Sequence, residues 1–219
     1  MKAIIFDMDG LLIDSEPHWH EAQMRVFPTV GIHLTVKDCQ DTTGVRIDDV
    51  VRLRYEQKPW TGKSLETVER EIVDELIVLM REKLVEKPGV REILAFFEIK
   101  KLPLAVASSS SYRIIDAALE KMNLRDTFPI IHSAEVEKYA KPHPAVYIHT
   151  AEKMGVEPID CLAFEDSLPG VIAAKAARMK VVAIPEVARP QFAVADVQLG
   201  SLLEFTEEIW LKFSGQSKV

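Results

Sequence analysis

Only two cysteines, Cys39 and Cys161, occur in 219 residues. They lie far apart and outside any Cys-x-x-Cys pairing, so a disulfide framework is excluded and both are expected as packed free thiols in a reducing compartment. No apolar run approaches the ~18–20 residues of a bilayer span. The first apolar run stops at Asp7, too short for a secretory leader, so the expected compartment is the cytoplasm. An excess of positive charge is missing too. The chain carries 34 acidic against 27 basic residues, a net charge of −7, which argues against nucleic acid and anionic membranes as partners. Internal repeats and long low-complexity tracts are absent. What remains is 47% hydrophobic and 28% charged, an ordinary globular profile with enough apolar mass for a core that needs no covalent staples.

Within that profile, short strand-type runs recur: AIIF (3–6), LAVA (104–107), IIH (130–132), LAF (162–164) and VVAI (181–184). Helical periodicity follows most of them, as at Ile114, Ile115, Ala118, Leu119 and Met122. Continuous apolar strands alternating with helices predict an α/β fold, a Rossmann-like parallel sheet covered on both faces. One interval breaks the alternation. From Ser15 to about Lys87 no strand is predicted. Ile47, Val50, Val51 and Tyr55 make one helical stripe, and Leu65, Val68, Ile72, Leu76 and Leu79 make another behind a capping Ser64. Pro17 suits a helix start, and VEKPGV (85–90) reads as a return linker. The expected organisation is therefore a core of 1–14 and 88–219 with an all-helical insert at 15–87. In the C-terminal region, Trp210 and Phe213 are expected to pack on the sheet edge, and the SGQSKV tail to fray.

Ligands of open parallel sheets bind beyond the carboxyl ends of the strands. Asp7 and Asp9 follow the first strand, Ser108-Ser109-Ser110-Ser111 the second, and Glu165-Asp166-Ser167 the fourth, while Lys141 stands some residues after the third. Four carboxylates on one rim repel each other. A hard cation such as Mg²⁺ relieves them, and prefers carboxylates, water and phosphate oxygens. The serine turn offers hydroxyls and N–H groups for an anion, Ser108 first and Ser109 second, with Ser110 and Ser111 expected to cap the next helix. Lys141 adds a point charge. Metal, anion seat and a spare carboxylate together point to phosphoryl transfer.

FDMDGLLIDSE, VASSS, KPHP and FEDSLPG, in that order, resemble the four motifs of the haloacid dehalogenase superfamily, and the insert resembles its alpha-helical cap. The resemblance spans roughly residues 3 to 185. DGLLIDSEPHWHEA, TTGVRIDDVV and KPW are similar, more narrowly, to bacterial sugar-phosphate phosphatases of the 2-deoxyglucose-6-phosphate or hexitol phosphate type. It implies Asp7 as a nucleophile that forms an aspartyl-phosphate and Asp9 as the acid and base. Ser108, Ser109 and Lys141 would hold the phosphoryl group. Mg²⁺ would rest on Asp7, Asp166 and the main-chain carbonyl of Asp9, with Glu165 direct or acting through another ligand. Dehalogenases that attack carbon lack an acid in the place of Asp9, which favours phosphate chemistry here.

In the insert, the resemblance suggests that the Gly44-Val45-Arg46 loop reaches the substrate, with Arg46 on phosphate or hydroxyls. Trp19 is expected either to stack on a sugar or to fill the cap core. His18 and His20 lack partners for a metal. The implied partner is a small-molecule phosphate ester, and a monomer is the default. Two rivals stand. A beta-phosphoglucomutase-like mutase shares motifs and cap, but that pattern has His where this chain has Trp19. A catalytically silent sugar-phosphate-binding protein would keep the fold and lose turnover.

Overall fold

The computed structural model describes residues 1–215; most of the tail read as fraying lies outside them. Six parallel strands form one sheet in the order β3-β2-β1-β4-β5-β6. They are β1 (Ala3–Phe6), β2 (Leu104–Ser108), β3 (Ile130–Ser133), β4 (Cys161–Glu165), β5 (Lys180–Ala183) and β6 (Val197–Gln198). The first five match the apolar runs of the sequence to within a residue or two. The sixth, two residues at the edge, has no apolar run to announce it. The order reverses beside β1, which places the crevice of a doubly wound sheet at the end of that strand.

Alternation explains why the strands are apolar throughout. Ile4 and Phe6 join a large-residue core with Phe97, Phe128 and Phe164, while Ala3 and Ile5 join a second core rich in alanine. On the first face Phe6 stacks on Phe164 at 5.0 Å between centroids, and Phe97 meets Phe164 edge-on at 5.7 Å. The helices that cover the sheet are α5 (Val90–Ile99), α6 (Tyr112–Lys121), α7 (Ala145–Lys153), α8 (Leu168–Ala176) and α9 (Glu207–Ser214). Trp210 of α9 packs on Phe96 and Phe97 of α5 rather than on a bare sheet edge.

Between β1 and α5 the chain is helical: α1 (Glu16–Val26), α2 (Val36–Gln40), α3 (Ile47–Gln57) and α4 (Leu65–Lys83). Pro17 lies in the first turn of α1, and Ser64 accepts a hydrogen bond from the Thr67 N–H, as the sequence predicts. The short α2 is unannounced by periodicity. Thr35 and Asp38 build it with a reciprocal cap. The outgoing and returning segments run side by side. Asp14 N–H donates to Val85 O at 3.0 Å and Lys87 N–H to Leu12 O at 3.1 Å.

Candidate active site

Asp7 leaves β1 next to β4, and its N–H donates to Phe164 O at 3.0 Å. Met8 turns its side chain fully into the core, which brings Asp9 back to the rim one residue later. Gly10 then turns the chain with φ +77°, and a Cβ there would lie 2.1 Å from Asp166 Oδ2. Asp166, three strands later in the sequence, is thus seated against the first loop. The rim that sequence spacing predicts is assembled: Asp7, Asp9, Ser108, Ser109, Lys141 and Asp166 all line one pocket.

Lys141 is its buried cation. Its ammonium donates to Asp7 Oδ1 at 2.5 Å, to Glu165 Oε1 at 2.6 Å and to Ala107 O at 3.1 Å. Burial opposes the charge, but Asp7 and Glu165 outweigh it and hold Lys141 above the ordinary lysine value. Burial also pushes Asp7 and Asp166 well above the usual carboxylate range. Glu165 adds repulsion at both, and Lys141 opposes it.

Glu165 is fully buried and its oxygens are occupied. Oε1 accepts from Lys141 and from the Tyr147 hydroxyl at 2.7 Å, while Oε2 accepts from Ser167 N–H at 3.1 Å and Ser167 Oγ at 3.0 Å. Gly170 of α8 makes room for it: a Cβ there would fall 1.7 Å from Glu165 Oε1. Ser167 also caps α8 by accepting from Gly170 N–H, as the sequence suggests.

Asp9 has a different surround. Oδ1 accepts from Ser15 Oγ at 2.7 Å and from the Trp19 indole N–H at 3.2 Å. Oδ2 accepts from Ser110 Oγ at 2.7 Å and Ser108 Oγ at 3.3 Å. Two expectations change here. Ser110, read as a helix cap, turns into the site. Ser111 occupies the N-cap of α6 but makes no side-chain cap bond. Trp19 packs its ring partly buried against the core and lines the pocket, and its N–H reaches Asp9, a contact that neither reading of it foresees. Ser15 and Tyr147 were not anticipated. Ser15 lies one helical turn before Trp19, a spacing that marks it in retrospect; Tyr147 has no such mark.

Carboxylate oxygens of Asp7, Glu165 and Asp166 lie within 4.8 Å of one another. Asp166 Oδ1 is buried with no hydrogen-bond partner. An orphaned anionic oxygen in an oxygen-rich cradle fits a hard divalent cation. The Ser109 hydroxyl is likewise buried, unpartnered and on the pocket wall.

The insert closes the pocket from above. Gly44, with φ +77°, approaches Ser167 so that a Cβ would lie 3.2 Å from the Ser167 Cβ. Arg46 lines the pocket, but its guanidinium forks onto Asp48 at 2.6 and 2.7 Å and donates to Ala134 O at 3.0 Å and Glu137 O at 3.2 Å. In this arrangement it bridges the insert to the turn after β3. No described helix is long and apolar enough to cross a membrane.

The model of the family described as haloacid dehalogenase-like hydrolase matches residues 4–184. Hexitol phosphatase B of Escherichia coli (strain K12) is 45% identical over 208 residues, 93% of this chain and 94% of that protein. The phosphorylated carbohydrates phosphatase of Thermotoga maritima is 35% identical, covering 81% of this chain and 82% of that protein. Among solved structures, a beta-phosphoglucomutase from Clostridium difficile superposes with a TM-score of 0.86 over 97% of this chain and 96% of its own, at 23% identity, a likeness of fold. With motif order, rim geometry and near full-length similarity in agreement, the chain belongs to the haloacid dehalogenase-like hydrolases, as one of the phosphatases of that family.

Proposed function

We propose that the protein is a Mg²⁺-dependent phosphatase of small sugar or sugar-alcohol phosphates, working through an aspartyl-phosphate on Asp7, with residues 15–87 as its cap. The observation that supports this most strongly is the contrast between the two acids of the first loop. Asp7 is held by a single buried ammonium, whereas Asp9 is held by four neutral donors. The first arrangement fixes Asp7 beside a cation that an incoming anion can share; the second leaves Asp9 without a direct charge partner and among hydroxyls that can turn from donor to acceptor when it takes up or gives a proton.

In the reading we favour, an Asp7 oxygen attacks phosphorus as the alcohol leaves with a proton from Asp9. Asp9 then takes a proton from water, which attacks the phosphorus and frees Asp7. Lys141, Ser108 and Ser109 hold the phosphoryl oxygens. Asp7, Asp166 and the main-chain carbonyl of Asp9 would hold Mg²⁺, and the saturated oxygens of Glu165 suit it to positioning Lys141. Bound there, the ion supplies charge neutralisation for the incoming phosphate. The sugar assignment draws on the relatives that are named for such substrates.

A mutase reading gains less support. Indole N–H only donates, so Trp19 orients Asp9 without a second proton-accepting group beside it. The test is phosphate release from hexose, 2-deoxyhexose, hexitol and pentose phosphates, with and without Mg²⁺. Steady release that needs Mg²⁺, and falls at least ~1,000-fold in Asp7→Asn, is expected. Isomer formation without release would support the mutase, and full turnover by Asp7→Asn would overturn the mechanism.

A further inference from the structure

The cap wall carries one polar atom that the chemistry above leaves unanswered. Ser15, Trp19 and Gln23 succeed each other at intervals of four along α1 and its cap position, so they share a face. All three line the pocket. Ser15 and Trp19 donate to Asp9. Gln23 is 5% exposed, and its Oε1 is buried without a hydrogen-bond partner among the described residues. A buried amide oxygen left unpaired bears its full desolvation penalty unless a ligand answers it. The amide presents an acceptor or, turned over, a donor, and a hydroxyl group satisfies either.

We propose that Gln23 binds a hydroxyl on the leaving-group side of the substrate, and so selects phosphate monoesters of extended polyhydroxylated chains. This rests on the phosphatase reading above and adds the residue that makes the choice. Reach sets the length. Successive helical residues rise ~1.5 Å, so Gln23 stands ~6 Å further along α1 than Trp19, whose indole touches Asp9. A substrate esterified next to Asp9 therefore meets Gln23 through a hydroxyl several carbons along its chain, which a hexitol phosphate offers. Glu16, His20 and Thr43 line the same cavity and offer partners for the remaining hydroxyls. An alkyl or aryl group of equal length would cover the Gln23 amide without bonding it, and a site built for a hydroxyl discriminates against such a substrate.

The experiment measures kcat/KM of the Mg²⁺-loaded enzyme for a hexitol phosphate, hexyl phosphate and p-nitrophenyl phosphate, in wild type, Gln23→Met and Gln23→Glu, with thermal melts to verify folding. Wild type is expected to favour the hexitol ester over hexyl phosphate by ~100-fold or more. Gln23→Met should lower the hexitol-to-aryl ratio by ~10- to 100-fold, and Gln23→Glu, which keeps an acceptor, should restore part of it. A ratio unmoved by Gln23→Met, or hexyl phosphate turned over as well as the hexitol ester by wild type, overturns the role of Gln23 while leaving the phosphatase intact. Absence of phosphate release from all three esters overturns both.

Discussion

Among the described residues, two clusters each gather three metal-ligand side chains within 4.8 Å: Asp7, Glu165 and Asp166 on the rim, and His132, Glu137 and His149 beside β3. They look alike by composition and differ in how their atoms are answered. In the second, Glu137 Oε1 accepts from His132 Nε2 at 2.5 Å and His149 Nδ1 at 2.6 Å, and Lys153 donates to His132 Nδ1 at 2.7 Å. Burial alone would push Glu137 up, but the hydrogen bonds from His149 and His132 win and hold it below the ordinary carboxylate value. Burial holds His132 below its ordinary value, with the Glu137 hydrogen bond opposing. On the rim, one acid keeps a bare buried oxygen, and both Asp7 and Asp166 are pushed up. Proximity of ligand-type groups therefore does not mark a binding site. An unmet demand for positive charge is the better guide, and of these two clusters the rim has it in the bare Asp166 Oδ1.

The strongest way to break this contrast is to remove the lysine that keeps the rim folded. Lys141→Met leaves Asp7 and Glu165 buried without their shared partner, and should cost about 3–5 kcal/mol in urea unfolding as well as turnover. The opposite substitution relaxes the rim. Asp166→Asn removes a repelling acid and should raise the stability of the Mg²⁺-free protein by ~1 kcal/mol, while abolishing any rise in Tm on adding Mg²⁺. His149→Ala should leave that Mg²⁺-dependent rise in place. A Mg²⁺ response lost in His149→Ala and kept in Asp166→Asn would reverse the assignment of the two clusters.

Acidity separates them most gently. Below its ordinary pKa of 6.5, His132 takes up a proton more readily unfolded than folded, so its contribution to stability is lost as the pH falls. The contribution of Glu137, complete above its ordinary 4.5, is lost as pH falls through its lowered folded value. The rim runs the other way. Asp7 and Asp166, held above 3.8, bind protons before the unfolded chain does, so the Mg²⁺-free protein gains from them on acidification. Thermal melts from pH 7.5 to 5 should show a flatter decline in His132→Gln than in wild type; an unchanged slope would remove His132 from the account.

Much of this was legible because the rim depends on strand ends. A strand end is an abrupt change from apolar to polar residues, and Asp7, Ser108 and Glu165 each sit at one. Lys141 follows its strand by eight residues, and was readable only through the order of the motifs. Contacts that cross between the insert and the core were not readable. Nothing local tells that Ser15 and Trp19 donate to Asp9, or that Arg46 reaches the carbonyls of Ala134 and Glu137. Such contacts depend on how one helical layer docks on another, which side-chain periodicity does not encode.

Gly170 carries a practical warning. Replacing glycines inside helices by alanine is a routine route to hardier proteins, worth about 0.5–1 kcal/mol at compatible positions, and Gly170, inside α8 with an ordinary right-handed backbone, looks like the safest choice in the chain. Its missing methyl is the space that Glu165 occupies. A thermostability library built on backbone angles alone would select that change early and push Glu165 off its partners, Lys141 and Tyr147.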